Sequence, residues 1–255
     1  MKKLLVTLTP AEGKRLIAKG LLATKQVKHA LKSGYLCVTL GSTSSYLVEE
    51  ILGEYDKTRH LAGLVVPKGP AVTDGKMRMT DAIFHKGLLL EGKKVIDVLD
   101  ELGPKDVIIK SANALGSDYI PIVLLASNTA GTIGTFLGAA AARNITVIMP
   151  VGLEKSIPAS YNDFNAEFGM NDWDYAIGTP VGAISIPNTI AFTEIEALDV
   201  LFDVFTIPIA AGGLNGAEGA VTFYVSGDDK NIKDTHDFLL TIKGEPLFPH
   251  VKHVK

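Results

Sequence analysis

Residues 36–52 read LCVTLGSTSSYLVEEIL, and this stretch decides the fold. Leu36 to Leu40 is a short apolar run of strand type, Gly41 to Ser45 a hydroxyl-rich turn, and Tyr46 onward a helix. Ser, Thr and Gly suit a helix N-terminus, because their oxygens accept from the orphan amides of the first turn and Gly bends without a Cβ clash. The same geometry aims unpaired amides and the positive end of a helix dipole out of the strand's carboxyl end, where a phosphate or carboxylate can sit. The alternative is an ordinary capped helix. Gly41, Ser42, Thr43, Ser44 and Ser45 are therefore candidate ligand-binding residues.

Working outward, the same strand–helix alternation recurs. Residues 106–110 (DVIIK) form a short buried strand that stops at Ser111-Ala112-Asn113-Ala114. Ile120 to Ala126 is expected as a strand, Thr132 to Arg143 as a small-sided helix, and Ile145 to Met149 as the following strand. Together they read as a β-α-β unit. Continuous apolar strands alternating with helices point to an α/β fold with a doubly wound, mostly parallel sheet. Ligands of such sheets lie beyond the carboxyl ends of the strands. That adds Asn113, Gly131, Thr132 and Lys155 to the ligand-binding candidates, with Glu154-Lys155 otherwise a solvated pair.

Thr9-Pro10-Ala11-Glu12 has capping-box spacing. The helix it opens is expected to break near Gly20, with a second piece from Thr24 to Lys32. Residues 61–66, 77–79 and 82–84 look strand-like, and 94–102 carries a helical apolar stripe. Residues 159–190 are irregular and of a length often found covering a cleft. Thr193 to Glu196 repeats the capping box. A strand over 205–210, the loop AAGGLNGAEG, a strand over 220–225 and a helix over 228–242 then make a small C-terminal α+β subdomain. The expected division is 1–190 and 191–255. Gly212, Gly213, Gly216 and Gly219 allow either an anion nest or a plain hairpin loop, and Glu218 is the carboxylate inside it.

Composition excludes several classes. Only four of the 255 residues are arginine and the net charge is −3, which argues against a nucleic-acid surface. The start MKKLLVTLTPAEG lacks the ~7–15 apolar residues of a secretory h-region, and no apolar run reaches the ~18 of a membrane span. A cytoplasmic protein without membrane contact is expected. The lone cysteine, Cys37, lies in an apolar strand and reads as buried. Of six histidines only His250 and His253 are close in sequence, too few for zinc, so no metal is expected. No GxGxxG, Walker A or GxSxG motif is present, and no cofactor is implied. Glu154 and Glu218 are the candidate catalytic carboxylates. The Ala/Gly-rich helix after residue 131 is compatible with a homo-oligomer.

The strand-GSTSS-helix, the strand end DVIIKSANA and the segment VIMPVGLEK together resemble the superfamily of ribose-5-phosphate isomerase, glucosamine-6-phosphate deaminase, the CoA transferases and sugar-sensing repressor modules, over about residues 35–158. The resemblance implies that Gly41 to Ser45 hold a phosphate or other anionic group, and Lys155 is similar to a lysine found after a late strand in some members. Two departures stand out. Ser111 to Ala114 carries none of the acidic residues that the isomerases place after a central strand, and the nucleophilic Glu of the CoA transferases has no counterpart. The expected function is binding of, and action on, a phosphorylated sugar or similar anionic metabolite by isomerase or transferase chemistry. The alternative is a non-catalytic metabolite sensor of the same fold.

Overall fold

The computed structural model describes residues 1–164 and 167–254. The chain begins with β1 (Lys2–Leu8), α1 (Pro10–Ala23), α2 (Lys25–Ser33), β2 (Tyr35–Val38) and α3 (Ser42–Leu52). A hairpin of β3 (Gly63–Val66) and β4 (Gly69–Thr73) follows, then β5 (Ala82–His85), β6 (Leu88–Leu89) and the one-turn α4 (Val95–Val98). The middle holds β7 (Val107–Ile109), β8 (Ala114–Leu115), β9 (Pro121–Leu125), α5 (Gly131–Arg143) and β10 (Thr146–Pro150). Next come α6 (Tyr161–Phe164), β11 (Gly182–Ser185), β12 (Ile190–Phe192) and α7 (Glu194–Phe202). The chain closes with β13 (Phe205–Ala211), β14 (Val221–Gly227), α8 (Asp229–Ile242) and β15 (His253–Val254).

The fold is mixed α/β around a mixed, mostly parallel sheet of six strands in the order β12-β10-β7-β2-β5-β6. The first four run parallel, and β5 and β6 add an antiparallel edge. Every residue of β2 and β7 is buried, as expected for central strands covered on both faces. Cys37 lies at the centre of β2 with no exposure, and burial pushes its thiol pKa up.

Three smaller sheets surround this one: β1-β14-β13, β11-β9-β8 and β15-β4-β3. The first contains a strand that the sequence reading leaves unassigned. β1 alternates outward Lys3 and Leu5 with inward Leu4, Val6 and Leu8, and pairs antiparallel with β14 along its whole length. The chain's start thus completes the C-terminal α-β-β-α arrangement, while β12, at the 190/191 boundary, belongs to the main sheet. Glu12 ties the same regions together. It closes the capping box with Thr9 and also accepts from Lys243 Nζ (2.7 Å) and the Gly244 amide (2.8 Å) beyond α8.

Three expectations are corrected. The segment 120–126 is a strand but not a parallel neighbour of β10. Gly116 accepts from the Tyr119 amide and donates to the Ile120 carbonyl (both 3.0 Å), a tight turn that folds β9 back antiparallel onto β8, with β11 on its other side. The parallel neighbour of β10 is β7. The 77–79 segment is likewise not a strand: Gly75–Met77 is a 3₁₀ turn capped by Asp74.

The break near Gly20 is also absent, and α1 runs on to Thr24, which caps both α1 and α2. Gly20 is where α1 crosses α7: a Cβ there would lie 2.6 Å from Ala197 Cβ and 2.7 Å from its Cα. Alanine is intrinsically better in a helix by about 1 kcal/mol, yet overpacking a tight crossing costs about 1–3 kcal/mol. Gly20→Ala is therefore expected to lower the urea midpoint. An unchanged or raised midpoint would show that α1 and α7 part easily.

Candidate functional site

The parallel strands β2, β7 and β10 end on one side of the sheet, and a cleft of about 810 Å³ opens there. Leu40 to Ser42 follow β2, Lys110 to Asn113 follow β7, and Lys155 lies on the turn after β10; all line it, as do Lys14 from α1 and Arg78 after β4. The β3–β4 hairpin, the end of β9, the start of α5 and the segment around Phe248 to Val251 complete the lining.

The start of α3 is fixed by close packing. Gly41 is extended (φ 173°, ψ 153°), so its backbone needs no special residue, but a Cβ would come within 2.6 Å of Ser111 Oγ and 2.7 Å of Ser44 Oγ. The Ser44 amide donates to Ser111 Oγ (3.1 Å), the Ser111 hydroxyl to Ser44 Oγ (3.1 Å), and the Ser44 hydroxyl to the Thr39 carbonyl (2.8 Å). His60 braces the turn from behind. Its carbonyl accepts from the Gly41 amide (2.9 Å), and its Nε2 lies 3.1 Å from the Thr39 carbonyl. That contact places the ring proton on Nε2 and leaves Nδ1 to accept from the Tyr55 hydroxyl (2.8 Å). Burial lowers the His60 pKa to about 4, so the ring is neutral.

This packing separates the five expected turn residues. Gly41 and Ser42 line the cleft. Thr43, Ser44 and Ser45 have no exposure, and Ser45 Oγ donates to the Ser42 carbonyl (2.7 Å). The Ser44 and Ser45 hydroxyls are spent on backbone carbonyls, and the Thr43 hydroxyl is buried without a partner among the described residues, so none of the three lines the cleft. Gly131, Thr132, Asn113 and Lys155 also line the cleft, whereas Glu154 and Glu218 do not. Glu218 is exposed on the β13–β14 loop, where its carboxylate accepts from the Gly216 amide (2.9 Å).

Two helices open on the cleft without a cap from their own N-cap residue. α3 begins after Gly41, and α5 after Ala130, a non-glycine residue in the left-handed region (φ 58°). By contrast α1, α2 and α7 are each capped by a threonine hydroxyl. In α1, α2 and α7 that hydroxyl takes one of the orphan amides; in α3 the Ser111 hydroxyl takes the third, and the first residues of α3 and α5 line the cleft.

The sequence reading missed Lys14, Arg78 and Lys110. Lys110 was visible at the end of DVIIK, but its setting depends on strands far away in the chain. Lys110 Nζ donates to the Ser111 carbonyl (2.9 Å) and Lys155 Nζ to the Ala112 carbonyl (3.0 Å). Arg78 Nε donates to Thr73 Oγ1 (2.6 Å). Among the described residues none of these three cations has a carboxylate partner, and no Asp or Glu lines the cleft. Burial, and then the charge of Lys155, lower the Lys110 pKa to about 8 against the pull of Asp81. Burial also lowers Lys155 to about 8, with Lys14 pushing the same way and Glu154 and Glu194 opposing.

Behind this group, Lys14 donates to Glu154 Oε1 (2.7 Å), and the buried Glu194 accepts from the Leu153 amide (3.0 Å). Gly13 makes room for Glu194, since a Cβ there would lie 2.4 Å from its Oε1. Burial and the neighbouring Glu154 raise the Glu194 pKa well above the carboxylate range. Among the described residues no three His, Cys, Asp or Glu side chains group as metal ligands would, and no helix is long and apolar enough to cross a membrane.

The chain matches no family model, no curated protein and no solved structure.

The two cleft lysines titrate near pH 8 when folded and near 10.5 when unfolded. Between those values the unfolded chain binds more protons, so their contribution to stability rises with pH. Below pH 8 the cost of burying both charges is present in full. Lys110→Met/Lys155→Met is therefore expected to melt above the parent at pH 7, with the gap closing toward pH 10. A parent that is the more stable at pH 7 would show that the two ammonium groups are well compensated.

Proposed function

We propose that the chain binds, and acts on, a phosphorylated sugar or similar anionic small metabolite, as an isomerase or transferase does, in the cleft at the carboxyl ends of its parallel strands. One observation supports this: Arg78, Lys110 and Lys155 line a single cleft without a carboxylate partner among the described residues, beside two helix N-termini whose own N-cap residues supply no side-chain cap. Half-buried cations without counter-charges destabilise a fold unless an anion joins them. Open α/β sheets hold their ligands at this position, and the likeness of residues 35–158 to the sugar-phosphate isomerase and CoA-transferase superfamily agrees with it. The finer architecture belongs to the same proposal: a doubly wound sheet, with residues 191–255 as a small α+β subdomain. Of the two proposed catalytic carboxylates, Glu154 is the better supported, since its partner Lys14 lines the cleft; the placement of Glu218 lends it no support.

A second reading, a metabolite sensor without turnover, is favoured by the absence of any Asp or Glu among the described cleft-lining residues.

Thermal-shift measurements with inorganic phosphate, sugar phosphates, CoA esters and small carboxylates test the site. A compound present at ~100 times its Kd adds about 2.7 kcal/mol of stability. At least one anion should raise the melting temperature, less so as pH climbs through about 8 and the lysines lose charge, and Lys110→Met/Lys155→Met should abolish the shift. If no anion shifts the wild-type protein, the site is not an anion site. For a compound that binds, wild-type turnover separates the two readings: conversion identifies an enzyme and binding without conversion a sensor, and Glu154→Gln then tests the carboxylate, with turnover lost and affinity kept if Glu154 is catalytic.

A further inference from the structure

We infer that the occupant of the cleft is an amphipathic anion, an acidic head carrying an unbranched apolar chain, as in a medium-chain acyl acid. This narrows the anion reading above and rests on it. Leu64, Val66, Val72, Leu124 and Val181 all line the cleft and are half-buried, yet among the described residues none belongs to the hydrophobic core or packs against it. They come from three segments: the β3–β4 hairpin, β9, and the residue preceding β11. Apolar side chains are normally gathered into one contiguous core. Five left outside it, around one opening, want an apolar partner.

The apolar wall is built in place. The Thr179 amide donates to the Pro70 carbonyl (2.7 Å), latching the hairpin to the segment that leads into β11. At that latch the backbones touch without side chains. A Cβ on Gly69 would lie 2.2 Å from the Ile177 carbonyl oxygen, and one on Gly178 would lie 2.7 Å from that of Pro70. Both glycines also have left-handed φ values, 105° and 94°, which other residues rarely adopt. The apolar wall is thus held before anything binds, a condition that spares the ordering cost of association.

Charge fixes the orientation. Lys110, Lys155 and the two helix N-termini come from the strand-end side, whereas Arg78 follows the hairpin and is tied to Thr73, so the head belongs beside the lysine pair and the chain runs along the hairpin and β9. A fully hydroxylated sugar would leave the five apolar side chains facing polar groups, whereas methylenes would cover them. Covering a methylene contributes about fourfold in affinity.

Titration calorimetry on the full chain tests this with acetate, butanoate, hexanoate and octanoate, and with inorganic phosphate, glucose 6-phosphate and octan-1-ol for comparison. Affinity is expected to rise about threefold to fourfold per added methylene from butanoate to octanoate, with octan-1-ol at least tenfold weaker than octanoate. Leu64→Ser/Leu124→Ser should flatten the chain-length series while phosphate binding stays unchanged; should that variant not fold, the wild-type series decides by itself. Binding of phosphate or glucose 6-phosphate without any gain along the acid series overturns the acyl proposal and leaves the anion site standing. Octan-1-ol binding as tightly as octanoate overturns the charged head. Failure of every anion to bind overturns both proposals.

Discussion

Where β2 gives way to α3 there is no room for a side chain, and much of the site follows from that contact. Gly41 lies against Ser111 and Ser44 so closely that a Cβ would sit 2.6 Å from one hydroxyl and 2.7 Å from the other. The contact lets Ser111, at the end of the neighbouring strand β7, do for α3 what an N-cap side chain ordinarily does: it accepts from the third amide of the helix. An external cap of this kind locks a helix start to a strand end. It also leaves the first amides of α3 for something else. Lys110, Ala112 and Asn113 are placed by the same segment, and Lys155 joins them by donating to the Ala112 carbonyl. Three strand ends are thus welded around a few backbone carbonyls and two serines.

How this protein treats cations elsewhere gives those lysines their meaning. Arg15, on α1, is surrounded by Glu49, Glu50 and Glu245 and lies 4.8 Å from the Tyr46 ring centroid, and these carboxylates push its pKa up. Lys57 is paired with Glu49, and Lys14 with Glu154. Where a half-buried cation serves the fold, then, a carboxylate accompanies it. Among the described residues Lys110 and Lys155 have carbonyl oxygens as their partners, and burial pulls their pKa values down instead. Stability is sacrificed at the strand ends in a way that stabilised scaffolds avoid and functional sites commonly show.

Much of the scaffold was legible in the sequence because its signals are local. The strand–turn–helix at 36–52, both threonine capping boxes and the buried β2 and β7 depend on neighbours a few residues away. β1 is legible too, in the alternation of KKLLVTL, although the same two lysines and leucines also resemble the start of a targeting signal. Other features depend on distant partners. Ser44 and Ser45 look like ligand-facing hydroxyls until the helix register sends them back to carbonyls of their own chain. The strand 121–125 carries the right apolar run for a parallel sheet, and only the Gly116–Tyr119 turn and its partners β8 and β11 show otherwise. Arg78, His250 and His253 reach the cleft through the β4–β15 pairing, which joins residues some 180 positions apart, and no local pattern encodes that.

The distribution of acids and bases limits what chemistry the cleft can perform. Glu154 is committed to Lys14, and Glu194 is buried behind it against Leu153 and Gly13. Among the described lining residues the ionisable side chains are lysines, Arg78, His250 and His253. An arginine does not give up its proton. A lysine with an ordinary pKa would also be locked in its charged form near neutral pH, but Lys110 and Lys155 titrate at about 8, which is where a general base or acid works well. The same burial that makes these amines costly to hold as cations makes them usable as proton carriers. A cleft without a carboxylate among its described lining residues therefore keeps a route to acid–base chemistry, provided that one amine steadies the anionic head while the other stays free to move a proton.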